Sequence, residues 1–185
     1  MNSAAIVGIL KRSFNAFLRD ILPLLVAGFF VSLLTALSLG ILGGPLLAGL
    51  YRMVSLRLRE GREPQLGDVF YFERFFEYLL AFYALAILIG LGFVFFILPG
   101  LFLATIWLYV FPLMVERGLG LGAAMGESKA IGDRWGLAQQ FTLTFVLVLI
   151  GAVLSSLTDG ISSVFFTPFA AIYVVTALRE AEAQT

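Results

Sequence analysis

The chain has 185 residues, 61% of them hydrophobic and 13% charged, with a mean hydropathy of +1.01. Twelve Lys and Arg balance twelve Asp and Glu, so nothing in the net charge draws the chain to nucleic acid, and so much apolar surface does not fit a soluble domain of this size. His and Cys are both missing, which excludes disulfides, Cys-ligated metals and the commonest general base and transition-metal ligand.

At the N-terminus, Ile6, Leu10, Phe14, Phe17 and Ile21 share one helical face while Lys11, Asn15 and Arg19 share another. That pattern predicts a short helix lying in the headgroup plane. No small-x-small cleavage site follows, so the apolar run after Arg19 reads as a membrane helix rather than a cleaved signal. Three apolar blocks then occupy residues 21–51, 78–115 and 135–178. One crossing of about 30 Å of hydrocarbon takes roughly 20 apolar residues, so each block predicts a helical hairpin. The hairpins are placed at about residues 21–58, 78–116 and 137–178.

The first block is the shortest. Gly40, Gly43, Gly44 and Pro45 mark its turn, and its return helix must run on through Arg52 to about Leu58, with Arg52 snorkelling towards the headgroups. A partly re-entrant hairpin is the alternative. Leu98-Pro99-Gly100 is the expected break in the second block, and Thr158-Asp159-Gly160 the expected turn in the third. Amphipathic stretches also precede the second and third hairpins. In one, Val69, Phe72, Phe76 and Leu79 oppose Phe70, Glu73 and Glu77; in the other, Leu121, Ala124, Met125, Ser128 and Trp135 line up away from Glu127 and Arg134.

None of the three turns carries Lys or Arg. Six crossings therefore leave all twelve basic residues on one side, which the positive-inside rule assigns to the cytoplasm. A single crossing of the first block would strand the segment from Arg52 to Arg74 outside. The expected fold is an all-α integral membrane protein of the cell inner membrane, one polytopic domain over residues 1–185 with both termini cytoplasmic. It has six transmembrane helices arranged as three hairpins, each preceded by a short cytoplasmic interfacial amphipathic helix. A threefold internal repeat is also expected. Ser13, Asp68 and Ser128 each stand six residues before Arg19, Arg74 and Arg134, and the return helices begin near Pro45, Pro99 and Pro168.

Leu98-Pro99-Gly100, Trp107-Leu108-Tyr109, Pro112-Leu113, Glu116, and Gly118-Leu119-Gly120 leading to Ala124 and Ser128 form one set of motifs. Pro168-Phe169, Tyr173 and Leu178-Arg179-Glu180 form a second. Together, over residues 9–180, they resemble a bacterial group that includes the membrane domain attached to some glycerophosphoryl diester phosphodiesterases and related six-helix membrane proteins. In the relatives with a phosphodiesterase, catalysis belongs to a separate soluble domain whose chemistry needs His. The resemblance therefore implies a membrane module connected with lipid or envelope homeostasis, without the enzymatic activity.

The remaining side chains carry little chemistry. Glu73 with Glu77 and Glu60 with Glu63 are close in sequence but sit among Arg59, Arg62 and Arg74, as solvated ion pairs would. Glu116 ends one apolar helix and Arg134 precedes another, so the two are expected to clasp at the membrane boundary. Ser32, Thr35, Ser38, Thr105, Thr142, Thr144, Ser155, Ser156, Ser162 and Ser163 either line a polar path or pack against neighbouring helices. Gly118, Gly120 and Gly122 read as a helix stop, and Phe70, Tyr71, Phe72, Phe75, Phe76 and Tyr78 as an interfacial anchor. No Asp, Glu, Lys, Arg or His falls near the centre of a span, which argues against ion-coupled transport.

The expected function is that of a non-catalytic interaction or envelope and lipid-homeostasis module, the alternative being an uncoupled channel or a transporter of lipid or small solutes. Arg19, Arg52, Arg74 and Arg134 are the expected contacts to lipid headgroups or to a protein partner at the cytoplasmic face. No catalytic residue, cofactor, metal or nucleic acid is expected, and homo-oligomerisation is left open.

Overall fold

A computed structural model describes residues 3–158 and 161–183. The chain is helical over 85% of its length, and no strand occurs among the described residues. Its helices are α1 (Ser3–Arg19), α2 (Ile21–Leu37), α3 (Gly43–Glu60), α4 (Phe75–Phe95), α5 (Ile97–Ile106), α6 (Val110–Arg117), α7 (Leu121–Trp135), α8 (Leu137–Thr158) and α9 (Ser163–Ala183), with a 3-10 turn at Leu66–Asp68.

Four helices are long and apolar enough to cross a membrane, namely α4, α5 continued into α6, α8 and α9. A fifth is reached only if α1 and α2, which meet at 92°, count as one bent span. Helix α2 is apolar throughout but has 17 residues. Helix α3 falls short for a different reason, because Arg52, Arg57, Arg59 and Glu60 crowd its second half. Protein covers it instead. It is packed against α2, α4, α6 and α9, with Leu46, Leu50, Met53 and Val54 buried. The most polar helix of the three hairpins is therefore the central post of the bundle. It runs to Glu60 and ends on Gly61, whose φ of 69° gives the left-handed cap that glycine favours.

Three expectations are corrected. The break in the second hairpin lies at Phe96, in extended conformation, rather than at Leu98-Pro99-Gly100. Pro99 falls in the first turn of α5, where its missing N–H has no intrahelical partner to lose. Gly100 instead lets α4 and α5 meet closely, since a Cβ on Gly92 would lie 2.8 Å from the Gly100 Cα. Second, no amphipathic helix precedes α4; residues 69–70 and 73–74 form turns and 71–72 are irregular. Val69 is fully buried against α3 at Gly49, an insertion that a helix lying along the surface could not make. Third, Pro168 stands inside α9 rather than at its start. A proline there leaves the carbonyl of Val164 without its helical donor, and that oxygen lies against Gly28 of α2, 2.1 Å from where a Cβ would be.

Helix α8 begins and ends close to the expected positions, whereas α9 runs on to Ala183, past the expected end at residue 178. The turn expected at Thr158-Asp159-Gly160 is described only at Thr158; Asp159 and Gly160 lie outside the described residues. Gly44, expected in a turn, is a packing glycine of α3 that abuts the Tyr78 carbonyl, whereas Gly40 does take the turn with φ 89°.

The two ends of the bundle differ sharply. At one end the exposed residues are apolar: Leu37, Leu39 and Ile41 between α2 and α3, Val94 to Leu98 between α4 and α5, and Leu157 and Ile161 flanking the third turn. Ion pairs gather at the other.

Candidate functional site

The charged end is built by side chains that tie helix termini together. Arg57 of α3 grips Asp20 with two bonds of 2.7 Å and donates to the carbonyl of Gly61 at 2.8 Å. Arg179 of α9 donates to the carbonyls of Leu58 at 2.5 Å and Ser55 at 3.4 Å. Arg74 reaches the carbonyls of Met114 and Leu119 at 3.5 and 3.4 Å. Such cations satisfy the last carbonyls of α3 and α6 and complement the negative ends of their dipoles. Around them, Arg117 bonds Glu127 at 3.2 Å and also Glu182, Arg12 bonds Glu180 at 2.6 Å, and Arg62 bonds Asp68.

The residues singled out from the sequence take distinct places. Arg19 is exposed, 3.6 Å from Asp20. Arg52 lies over the Tyr71 ring at 3.9 Å from its centre. The Tyr71 hydroxyl donates to Glu73 at 2.5 Å, and that bond to a carboxylate holds its pKa above the ordinary tyrosine value. Arg74 is engaged by Glu77 and by the α6 carbonyls. Arg134 bonds Glu127 at 3.1 Å and the carbonyl of Ala130 at 3.2 Å. The expected clasp between Glu116 and Arg134 does not form, because each has a nearer partner. Arg59 stands 3.9 Å from Glu116, and Glu127, on the same helix as Arg134, reaches it first.

Of the four arginines proposed as contacts, Arg52 lines a concave site. A cavity of about 170 Å³ is bounded by Arg52, Ser55, Arg59, Tyr71 and Glu116, among others. The Ser55 hydroxyl and one Glu116 carboxylate oxygen are buried there without a hydrogen-bond partner. Two guanidinium groups above unsatisfied oxygens make a small polar recess at the rim of the bundle.

Comparison with known proteins gives no match. No family model fits the chain, and no curated protein or solved structure is significantly similar to it. The likeness carried by the Leu98-Pro99-Gly100 and Pro168-Phe169 motifs thus has no counterpart in these comparisons.

A second polar assembly, not anticipated from the sequence, lies inside the bundle. The α5–α6 span breaks at residues 107–109, which frees backbone groups. Ser128 of α7 accepts the Tyr109 N–H at 3.2 Å and donates to the Ile106 carbonyl at 2.8 Å. The Gln140 amide donates to the Thr105 carbonyl at 2.5 Å, and Gly132 makes room for that side chain. All of these side chains are fully buried. Gln140 is visible in the sequence as an amide at the start of an apolar run, an expensive residue there unless it has a partner. Ser128→Ala would orphan two buried backbone groups and is expected to destabilise the protein by about 1–3 kcal/mol. Thermal unfolding in detergent checks this against Thr142→Ala, whose hydroxyl only bonds Ala138 within its own helix and whose loss should matter far less.

The other hydroxyls pack rather than line one route. Ser163 donates to Ser32 at 3.2 Å between α9 and α2. Thr105, Thr144 and Thr158 donate to carbonyls one turn back on their own helices. Gly151 of α8 receives the Phe166 ring.

Proposed function

We propose that the chain is a non-catalytic protein of the cell inner membrane that crosses six times, with both termini cytoplasmic, and that its arginine- and aromatic-rich inner face binds anionic lipid headgroups. The observation that carries this reading is the separation of the two ends, ion pairs at one and bare apolar turns at the other. Short loops rich in Lys and Arg stay inside, and anionic headgroups attract such a surface by about 1 kcal/mol per cation. Arg52 stacked on Tyr71, Arg59 beside it, and the exposed Phe72 and Phe76 supply charge and rings at the same level. Helix α3 counts as a crossing in this reading because its neighbours bury its first half, while its arginines gather at its inner end, where Arg57 pairs with Asp20 and Arg52 lies on Tyr71.

The threefold repeat belongs to the same proposal. Arg19 ends α1, Arg74 directly precedes α4 and Arg134 is the penultimate residue of α7, so each stands where an outgoing helix starts. The scattered positions of Ser32, Thr105 and Thr142 offer no support for a transport route.

The chain has no native Cys, so its topology can be probed directly. Asp159→Cys is expected to react with an impermeant thiol reagent in whole cells, while Arg62→Cys reacts only after lysis. Labelling of Arg62→Cys in intact cells would overturn the orientation and, with it, the role of the inner face.

A further inference from the structure

A cavity of about 490 Å³ opens between α1, α8 and α9 and lies within the range of about 300–1,000 Å³ usual for ligand sites. Its walls are Phe14, Phe17, Ile150, Leu154, Phe165 and Phe169, and its only polar lining comes from Lys11 and Asn15 of α1. Local geometry makes the groove. Phe166 is seated against Gly151, so α8 and α9 meet ring to backbone, and α1, turned 92° from α2, closes the space beside them. Phe14 and Phe165 are each half exposed along its opening.

Lys11 distinguishes this groove from an ordinary lipid-facing surface. Every arginine described has a carboxylate, a carbonyl or an aromatic ring as partner, and Lys129 has Asp133. Among the described residues Lys11 alone of the cations has none, and the Asn15 amide beside it makes no hydrogen bond either. A lone ammonium and a free amide at the mouth of an aromatic-walled groove match one kind of molecule, an anion carrying a long apolar chain.

We propose that the groove holds one acyl chain of an anionic phospholipid, with its phosphate on the Lys11 ammonium and the Asn15 amide. The lipid comes from the surrounding bilayer, so this inference rests on the membrane reading above. It adds a discrete site on α1, α8 and α9, away from the Arg52 recess.

The test places a tryptophan in the groove, Phe165→Trp, with Trp107 and Trp135 replaced by Phe. The full-length protein is reconstituted in phosphatidylcholine vesicles containing a minor fraction of lipid brominated on its acyl chain, either phosphatidylglycerol or phosphatidylcholine. A second reporter, Phe102→Trp, on the exposed apolar side of α5 and away from the arginine-rich face, monitors general lipid contact. One lysine–phosphate contact predicts about a fivefold preference for phosphatidylglycerol at the groove tryptophan. The preference should be lost in Lys11→Gln, kept in Lys11→Arg, and absent in the Phe102→Trp reporter. Equal quenching of the groove tryptophan by both lipids, or a preference that survives Lys11→Gln, would reduce the groove to ordinary annular contact and overturn the proposal. Loss of the quenching by brominated phosphatidylglycerol when unbrominated fatty acid is added at equal concentration would also overturn it, in favour of a carboxylate ligand. No quenching of either tryptophan by either lipid would instead refute the membrane reading itself.

Discussion

Gly49→Ala should destabilise the folded protein by about 3 kcal/mol or more. At this point the central helix α3 touches the backbone of Val69, and a Cβ on Gly49 would lie 2.0 Å from the Val69 carbonyl oxygen and 2.7 Å from its Cα. A backbone cannot swing aside as a flexible side chain does. The segment around Val69 would have to leave its place between α2 and α3, uncovering a residue that is now fully buried. Overpacking by one methyl usually costs about 1–3 kcal/mol, and a clash with main chain falls at or beyond the upper end of that range. Against a total stability of about 5–15 kcal/mol, that loss should be visible as poor yield and aggregation on size exclusion in detergent. Gly90→Ala is the control, because nothing stands within 4 Å of its Cβ position. That change should be neutral or stabilise α4 by up to about 1 kcal/mol. Gly49→Ala behaving like Gly90→Ala would show that α3 is not held at the centre as described.

The second large effect is expected at Asp20. Its two carboxylate oxygens each accept a 2.7 Å bond from Arg57, and the side chains are only 11% and 18% exposed. The pair also sits at the corner where α1 turns into α2, so it fixes the bend against α3. Removing one member of a buried pair costs about 3–5 kcal/mol, and the residual exposure here lowers the expectation for Asp20→Ala to about 2–3 kcal/mol. Thermal unfolding in detergent measures this. Reversing the pair, Asp20→Arg with Arg57→Asp, should recover part of the loss. It will not recover all, since Arg57 also holds the Gly61 carbonyl. A parental melting temperature for Asp20→Ala would remove the pair from the set of interactions that fix the corner.

Much of this architecture is legible in the sequence because hydrocarbon imposes one dominant demand, a long run of apolar residues, and residues 78–115 and 135–178 meet it openly. The glycines near residues 40 and 118 also behave as local chemistry requires, taking left-handed turns. What stays hidden depends on neighbours. Nothing in α3's own composition says that it will be the shielded post, since shielding is a property of α2, α4, α6 and α9. Pro168 carries the usual signal of a helix start, yet its place inside α9 depends on Gly28 of another helix to take up the freed carbonyl. The partner of Glu116 escapes sequence reading for a related reason. Proximity of two helix ends in sequence does not fix which arginine arrives first, and Arg59 comes from the far end of α3. Gln140 is the one clear signal that reading for hydroxyls passes over.

The bare turn from Val94 to Leu98 bears on how the polypeptide would reach its final position. It contains no Asp, Glu, Lys or Arg, and none occurs in the helical arms on either side of it between Glu77 and Glu116. During biogenesis this hairpin could be threaded through the lipid interior as a closed unit, with every charge left waiting at the entry side and no translocated domain to haul across. In the third hairpin the corresponding leading edge contains Asp159, so its passage would require one carboxyl group to make the full journey.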